Sequence, residues 1–218
     1  KIESTRAHGA EVILYDRASE SREAVAAGIA LRTGAVTVPP FDDAYVAAGQ
    51  GTAGLEIALE AKRRNIELHA ALVPVSGGGL IAGTALALTR HFPGIEIHAV
   101  EPRGFDDTGR SLRSGRREKI EAGAHTICDA LQVAQPGEIT FAVNSCLLAG
   151  GIAIDDEMTK AAMAAAFHHL KIVAEPSGAI ALAAALGGKF DCRGKNVAVI
   201  CSGGNVDPAI FADALRRA

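Results

Sequence analysis

Short apolar runs alternate with longer alanine-rich segments along most of this chain. The apolar runs are bounded by turn residues and predict buried β-strands at 11–16, 67–75, 95–100, 151–154 and 196–202. The segments between them predict helices at 18–32, 52–64, 80–92, 156–170, 177–186 and 208–217. Strands that alternate with helices pair in parallel and are covered on both faces. The pattern therefore predicts an α/β fold with helices on both faces of a parallel sheet.

Composition narrows the class of protein further. The 218 residues are 49% hydrophobic and carry a net charge of −3, which gives no general attraction to nucleic acid or to an anionic membrane. No apolar stretch is long enough to cross a bilayer. The four cysteines lack the spacing of a zinc site or a disulfide framework, and no signal peptide is visible. We therefore expect a reduced, cytoplasmic protein whose partner is a small molecule.

The stretch VPVSGGGLIAG places glycines directly after a predicted strand and before a predicted helix. Ser76, Gly77, Gly78, Gly79 and Leu80 would aim several backbone N–H groups inward, next to the positive end of the helix. A tight turn alone rarely needs three successive glycines, so the loop favours a phosphate-binding cradle over a simple turn.

The same stretch leaves a second ligand open. Gly77, Gly79 and Ala82 fit the G-x-G-x-x-G/A pattern, and Glu101 stands about 20 residues on, where a ribose-binding acid belongs. A Rossmann-type NAD-dependent oxidoreductase therefore remains an alternative. A P-loop is excluded, because Leu80 and Ile81 stand where Lys and Ser/Thr are required.

A second loop of the same kind follows the last predicted strand, in NVAVICSGGNVDPAI. Strands of a parallel sheet all end on one side, so Ser202 is expected at the same sheet edge as Ser76. Two such loops suggest a compact ligand held at a phosphate and at a ring atom. Pyridoxal 5'-phosphate has that shape.

Six motifs in order carry a family resemblance: KIESTRAHGAEV, AGQGTAGLEI, VPVSGGGLIAG, HAVEP, EPSGAIALAA and CSGGNVD. They resemble the serine and threonine dehydratases and serine racemase, the fold-type II pyridoxal-phosphate enzymes with a tryptophan-synthase-β-like fold. FDDTGRSL and ICDALQ are more similar to the dehydratases of the hydroxyectoine-utilisation branch than to threonine enzymes proper. The resemblance implies that residues 1–50 are the remainder of a small substrate-closing domain and residues 51–218 a large cofactor-binding domain. It also implies a homodimer.

The resemblance assigns roles to individual residues. Ser76 to Leu80 would bind the cofactor phosphate, and the hydroxyl of Ser202 would bond the pyridine nitrogen. Glu175 would lie near the ring, although capping of the following helix explains it nearly as well. In VEPRGFDD the resemblance implies a Mg²⁺ or Ca²⁺ site, while a helix cap at Asp106 or Asp107 is an equal alternative. The ligands of that site would be Glu101, the carbonyl of Phe105, and Asp107.

The Schiff-base lysine of this family lies upstream, in an S-x-K-x-R-G type motif, and none of the seven lysines here has that context. We therefore expect the carboxyl-terminal portion of an enzyme, whose partner is the missing amino-terminal portion. The resemblance implies a dehydratase that converts a β-hydroxy amino acid to a 2-oxo acid and ammonia. Serine, threonine and 3-hydroxyaspartate are possible substrates. The isolated chain is expected to be inactive, and a non-catalytic ligand-binding module is a further alternative.

Overall fold

The strands form one parallel sheet in a computed structural model of the chain, which describes residues 1–16 and 19–216. Within those residues the spatial order is β3-β2-β1-β4, and all three pairings are parallel. The predicted α/β fold is confirmed. The strands are β1 (Ala70–Pro74), β2 (Glu96–Pro102), β3 (Gly150–Ile154) and β4 (Val197–Val199).

The chain divides into two compact units, Lys1–Pro39 and Pro40–Ala218. The first contains α1 (Ile2–Ala7) and α2 (Arg22–Thr33). The second contains the sheet and the remaining helices. They are α3 (Ala44–Arg63), α4 (Gly79–His91), α5 (Asp107–Ser114), α6 (Glu138–Leu147), α7 (Asp156–Ala165, continued by a π-helical turn over Ala166–Leu170), α8 (Pro176–Leu186) and α9 (Pro208–Arg216). The domain boundary at residue 50 stays a prediction.

Two hydrophobic clusters cover the two faces of the sheet. Side chains alternate along β1, so Leu72 packs on the α7–α8 side and Val73 on the α3–α4 side. Both side chains are fully buried. Helices therefore lie on both faces, as the continuous apolar strands predict. No helix among the described residues is long and apolar enough to cross a membrane.

Helix α3 begins at Ala44, eight residues before the predicted start, and it includes Gly49, Gly51 and Gly54. Asp43 caps it by accepting from two backbone amides. Its glycines permit a close approach to α4. A Cβ added to Gly83 would overlap the carbonyl oxygen of Ala47 and lie 2.9 Å from the Cα of Gly51. Tight helix packing thus overrides the low helix propensity of glycine.

The strand predicted at 11–16 is wrong, because these residues are not in a strand. Lys1–Pro39 offers no second strand within its described residues, and a lone strand leaves its backbone groups unpaired. The helix predicted at 18–32 begins at Arg22, after a cap by Ser21; residues 17 and 18 lie outside the described residues, as does residue 217. Helices α5 and α6 were not predicted.

Candidate functional site

The glycine-rich loop joins β1, an inner strand of the sheet, to α4. Gly78 caps α4 with a φ of +95°, in the left-handed region that favours glycine. The amides of Val75 and Ala82 each donate to a backbone carbonyl at 3.0 Å. Six amides lie between them, those of residues 76–81. Within the described part of the chain, none of these six donates a hydrogen bond to another residue. A row of unpaired N–H groups at a helix N-terminus attracts an anion.

Side chains of α6 and a backbone amide at its start donate hydrogen bonds to the carbonyl oxygens of the glycine-rich loop. The carbonyl of Gly77 accepts from the Thr140 hydroxyl at 2.6 Å and from the Gly137 amide at 3.1 Å. The carbonyl of Gly78 accepts from the side-chain amide of Asn144 at 3.4 Å. Thr140 and Asn144 are both buried, so these contacts are shielded from water.

Phe41 and Asp42, which precede α3, pack against the glycine-rich loop and the start of α6. The Phe41 ring lies where a Cβ on Gly77 would be, and its backbone lies 3.1 Å from a Cβ added to Gly79. The Asp42 carboxylate accepts from the first three amides of α6, residues 138–140, at 2.8 to 3.2 Å. This contact satisfies three of the four amides that a helix start leaves unpaired.

The second loop leaves the strand next to β1. The amide of Ile200, just beyond β4, donates to the carbonyl of Leu72 in β1 at 3.1 Å. Both loops therefore emerge at the carboxyl ends of adjacent strands, which lie about 5 Å apart. The side chain of Ser202 is exposed. The structure thus brings Ser202 and the glycine-rich loop to one edge of the sheet.

The second loop packs closely on the start of α8. The amide of Glu175 donates to the carbonyl of Gly203 at 3.0 Å, and a Cβ on Gly178 would overlap that same peptide. Glu175 occupies the N-cap position of α8, yet its side chain makes no capping hydrogen bond. Its carboxylate instead lies against Gly203, next to Ser202. The helix-cap alternative for this side chain is therefore not what the structure shows.

The segment from Thr126 to Val133 bridges the glycine-rich loop and the start of α8. The Val133 amide donates to the Ser76 hydroxyl at 3.1 Å, and the Ala130 amide donates to the Ser177 hydroxyl at the same distance. The site is therefore assembled from three loops that are hydrogen-bonded to their neighbours at one sheet edge.

Glu101 and Asp107 form a buried acidic pair at the end of β2. The carboxylate of Glu101 accepts from the amides of Thr108 and Gly109, each at 2.8 Å, and so caps α5. Burial, with the nearby charge of Asp107, raises the pKa of Glu101 to about 8. Burial also raises the pKa of Asp107 to about 7, and its Oδ2 has no hydrogen-bond partner among the described residues.

This geometry answers two of the alternatives for the acidic residues. Glu101 is fully buried and bonded to α5, so its carboxylate does not reach a ribose. Asp106 stands at the N-cap of α5 without a side-chain capping bond. Phe105, which lies between Glu101 and Asp107 in the sequence, is also buried. No cluster of three or more His, Cys, Asp or Glu side chains suited to a metal occurs in the described part of the chain.

Comparison with known proteins decides the family. The profile described as "Pyridoxal-phosphate dependent enzyme" matches residues 1–203. The chain belongs to this family. The family and the similar solved structures confirm the predicted fold-type II pyridoxal-phosphate class. The family also implies pyridoxal phosphate as the cofactor.

The pyridoxal-phosphate enzymes similar to this chain include lyases and racemases. The L-threonine ammonia-lyase of Thermotoga maritima is 38% identical over 95% of this chain and 50% of its own length. The serine racemase of Oryza sativa subsp. indica is 38% identical over 100% of this chain and 64% of its own length. The solved structure of maize serine racemase superposes with a TM-score of 0.87 at 36% identity, covering 99% of this chain and 65% of that one. The chain thus spans about half to two thirds of these relatives.

Sequence reasoning missed the residues that hold the glycine-rich loop from behind. Thr140 lies 63 positions from the carbonyl that it contacts, and Asp42 lies 96 positions from the first α6 amide that it caps. No local motif marks either residue, because both contacts arise only when the chain folds. The only local signal for this part of the site is the pair of turn residues before α6, Pro136 and Gly137.

Proposed function

We propose that this chain is the cofactor-binding part of a pyridoxal-phosphate-dependent ammonia-lyase acting on a β-hydroxy amino acid such as L-threonine or L-serine. The products would be a 2-oxo acid and ammonia. One observation carries the proposal: the amides of residues 76–81, which donate to no acceptor among the described residues, lie at the same sheet edge as the exposed Ser202. Similarity to an L-threonine ammonia-lyase supports the reaction class.

The glycine-rich loop would bind the phosphate through backbone N–H groups. Ser76 adds a hydroxyl whose oxygen already accepts from the Val133 amide, which leaves its proton for donation to an anion. A Cβ on Gly77 would meet the Phe41 ring, so only glycine permits this packing. The residues that would hold the phosphate are Ser76, Gly77, Gly78, Gly79 and Leu80.

Ser202 would set the chemistry of the cofactor ring. Bound pyridoxal phosphate supplies an electron sink for negative charge that develops at the substrate Cα. A neutral hydroxyl donates to an unprotonated pyridine nitrogen, whereas a carboxylate would favour the protonated ring. Ser202 therefore orients the ring without making it a stronger sink. Glu175, which lies against Gly203, would stand beside the ring.

The lysine that holds the cofactor and moves the Cα proton would come from a segment outside this chain. Strand β4 indicates where that segment packs. Val197 and Val199 are apolar, half-buried and at the sheet edge, and no charge or proline protects them. Such a strand is typical of a sheet interior. We propose that a further strand of the intact enzyme pairs with β4.

We also propose that the enzyme is a homodimer, which sedimentation would check.

Hydrogen exchange tests the open edge. The Asn196 carbonyl and the Ile200 amide both bond β1, so the alternating ladder directs the amides of Val197 and Val199 away from it. These two amides should exchange much faster than that of Ala198, which lies between them. Equal protection of all three amides in the isolated chain would show that the edge is already covered.

We also propose that Glu101, Asp107 and the carbonyl of Phe105 bind Mg²⁺ or Ca²⁺. The two buried carboxylates fit a cation, because the nearby charge of Asp107 disfavours the charged form of Glu101 and an Asp107 oxygen lacks a hydrogen-bond partner within the described residues. Hard oxygen ligands suit both ions. A rise in melting temperature on adding either ion would support the site.

Borohydride reduction tests the division of labour between this chain and the lysine-bearing segment. The isolated chain should bind pyridoxal phosphate weakly, carry no stoichiometric adduct at a single lysine after reduction, and produce no 2-oxo acid from serine or threonine. Turnover by the pure chain, or a stoichiometric adduct on one particular lysine of its seven, would overturn the assignment. Racemisation is a second candidate, favoured by the similarity to serine racemase. It would appear as D-serine once a lysine-bearing segment is supplied.

A further inference from the structure

The orientation of the glycine-rich loop is set by its carbonyl groups. In a trans peptide the C=O of one residue and the N–H of the next point in opposite directions. Because Thr140 and Gly137 both donate to the carbonyl of Gly77, the next amide, that of Gly78, points away from α6. Asn144 acts in the same way on the peptide that carries the amide of Gly79.

Glycine cannot hold this orientation by itself. Gly78 has a φ of +95° and no side chain, so its peptide planes rotate at little cost unless something outside the loop holds them. Among the described residues, the hydroxyl of Thr140 makes the shortest of these contacts, at 2.6 Å, and the residue has no exposed surface. Its backbone amide is fixed in turn by Asp42, at 3.2 Å.

We propose that Thr140 is a positioning residue that aims the Gly78 amide at the phosphate of the cofactor. The inference rests on the proposed function, and it adds a residue that never touches the ligand. Asp42 and α6 form the rigid support, and Thr140 transmits that support to the loop. The effect should be confined to the phosphate, because Thr140 contacts the glycine-rich loop and no described contact joins it to the Ser202 loop.

The test compares two probes, pyridoxal 5'-phosphate and pyridoxal, by isothermal titration calorimetry of the 218-residue chain. Thr140→Val removes the hydroxyl and keeps the shape, Thr140→Ser restores the hydroxyl, and Ser145→Ala is a control on the exposed side of α6. Thr140→Val should bind pyridoxal 5'-phosphate about fivefold more weakly and pyridoxal unchanged. Thr140→Ser and Ser145→Ala should bind both probes within about twofold of the parent chain.

The ratio of the two dissociation constants separates aiming from folding. A variant that is merely less stable weakens both probes equally, because both bind the folded state. A parental ratio in Thr140→Val would overturn this inference and leave the proposed function intact. Failure of the parent chain to prefer the phosphorylated probe would overturn the phosphate role of the loop itself, and the inference with it.

Discussion

At the scale of single residues, two adjacent aspartates have different surroundings. Asp107 is 2% exposed and its Oδ2 has no hydrogen-bond partner within the described residues, whereas Asp106 lies 3.7 Å from Arg110 in an ion pair. Burial raises the pKa of Asp107 despite a backbone hydrogen bond and the nearby charge of Arg110, so its charged form opposes folding. A bound cation would remove that penalty, so Asp107 and Asp106 should respond differently to a divalent ion.

Asp107→Asn should therefore abolish stabilisation by Mg²⁺ or Ca²⁺, while Asp106→Asn should retain it. In the parent chain the stabilisation should reach about 2.7 kcal/mol when the free cation is at about 100 times its Kd. Urea unfolding with and without the ion measures the difference. Equal stabilisation of both variants would place the cation elsewhere, and no stabilisation of the parent chain would remove the metal site from the account.

The sequence predicts a phosphate role for the glycine-rich loop and a ring-nitrogen role for Ser202, because a short local motif suggests each of them. Thr140 and Asp42 could not be found that way, since their contacts join positions 63 and 96 residues apart. The sequence singled out Glu101 as a ribose-binding acid or a metal ligand. Its structural role, capping α5 through the amides of Thr108 and Gly109, depends on a helix that was not predicted.

At the scale of elements, α3 and α4 pack by backbone contact. Gly83 faces the carbonyl of Ala47 and the backbone of Gly51, and Gly54 faces the backbone of Thr84 at less than 3 Å from where a Cβ would be. Such contacts leave no room for a methyl group unless the helices separate. Because α4 begins at the glycine-rich loop, this packing also fixes the helix end that would face the phosphate.

Two glycine-to-alanine variants should therefore change stability in opposite directions. Gly83→Ala should lower the free energy of unfolding by about 3 kcal/mol, because the new methyl meets rigid backbone. Gly49→Ala, at an exposed position of α3 with open space around it, should raise it by about 0.5 to 1 kcal/mol. Chemical denaturation measures both. A Gly83→Ala variant as stable as the parent chain would contradict the helix packing.

The periodic, alanine-rich helices and the buried strands of the sheet were predictable because packing follows their hydrophobic pattern. Helix α6 was not, since its Ile139, Thr140 and Val143 are β-branched, and its start is stabilised by Asp42 from a distant part of the chain. The run at 11–16 reads as a strand in isolation. It is not one here, because a strand needs a partner that Lys1–Pro39 does not supply within its described residues.

At the scale of the whole molecule, parallel pairing explains why distant motifs converge. The glycine-rich loop, Glu101 and the Ser202 loop follow or end three neighbouring strands, and parallel strands all end at one edge. The order β2-β1-β4 places the two proposed cofactor loops on adjacent strands although they are over 120 positions apart in sequence. The sheet topology therefore brings the two loops together, which neither motif indicates by itself.

The central claim is that one pyridoxal phosphate spans these two loops. Titration of the ¹⁵N-labelled chain with pyridoxal 5'-phosphate, followed by NMR, tests it most directly. The amides of residues 76–81 and of residues 201–204 should shift together with one dissociation constant, and pyridoxal should shift the second set far more than the first. Shifts in only one of the two loops, or in neither, would contradict the account.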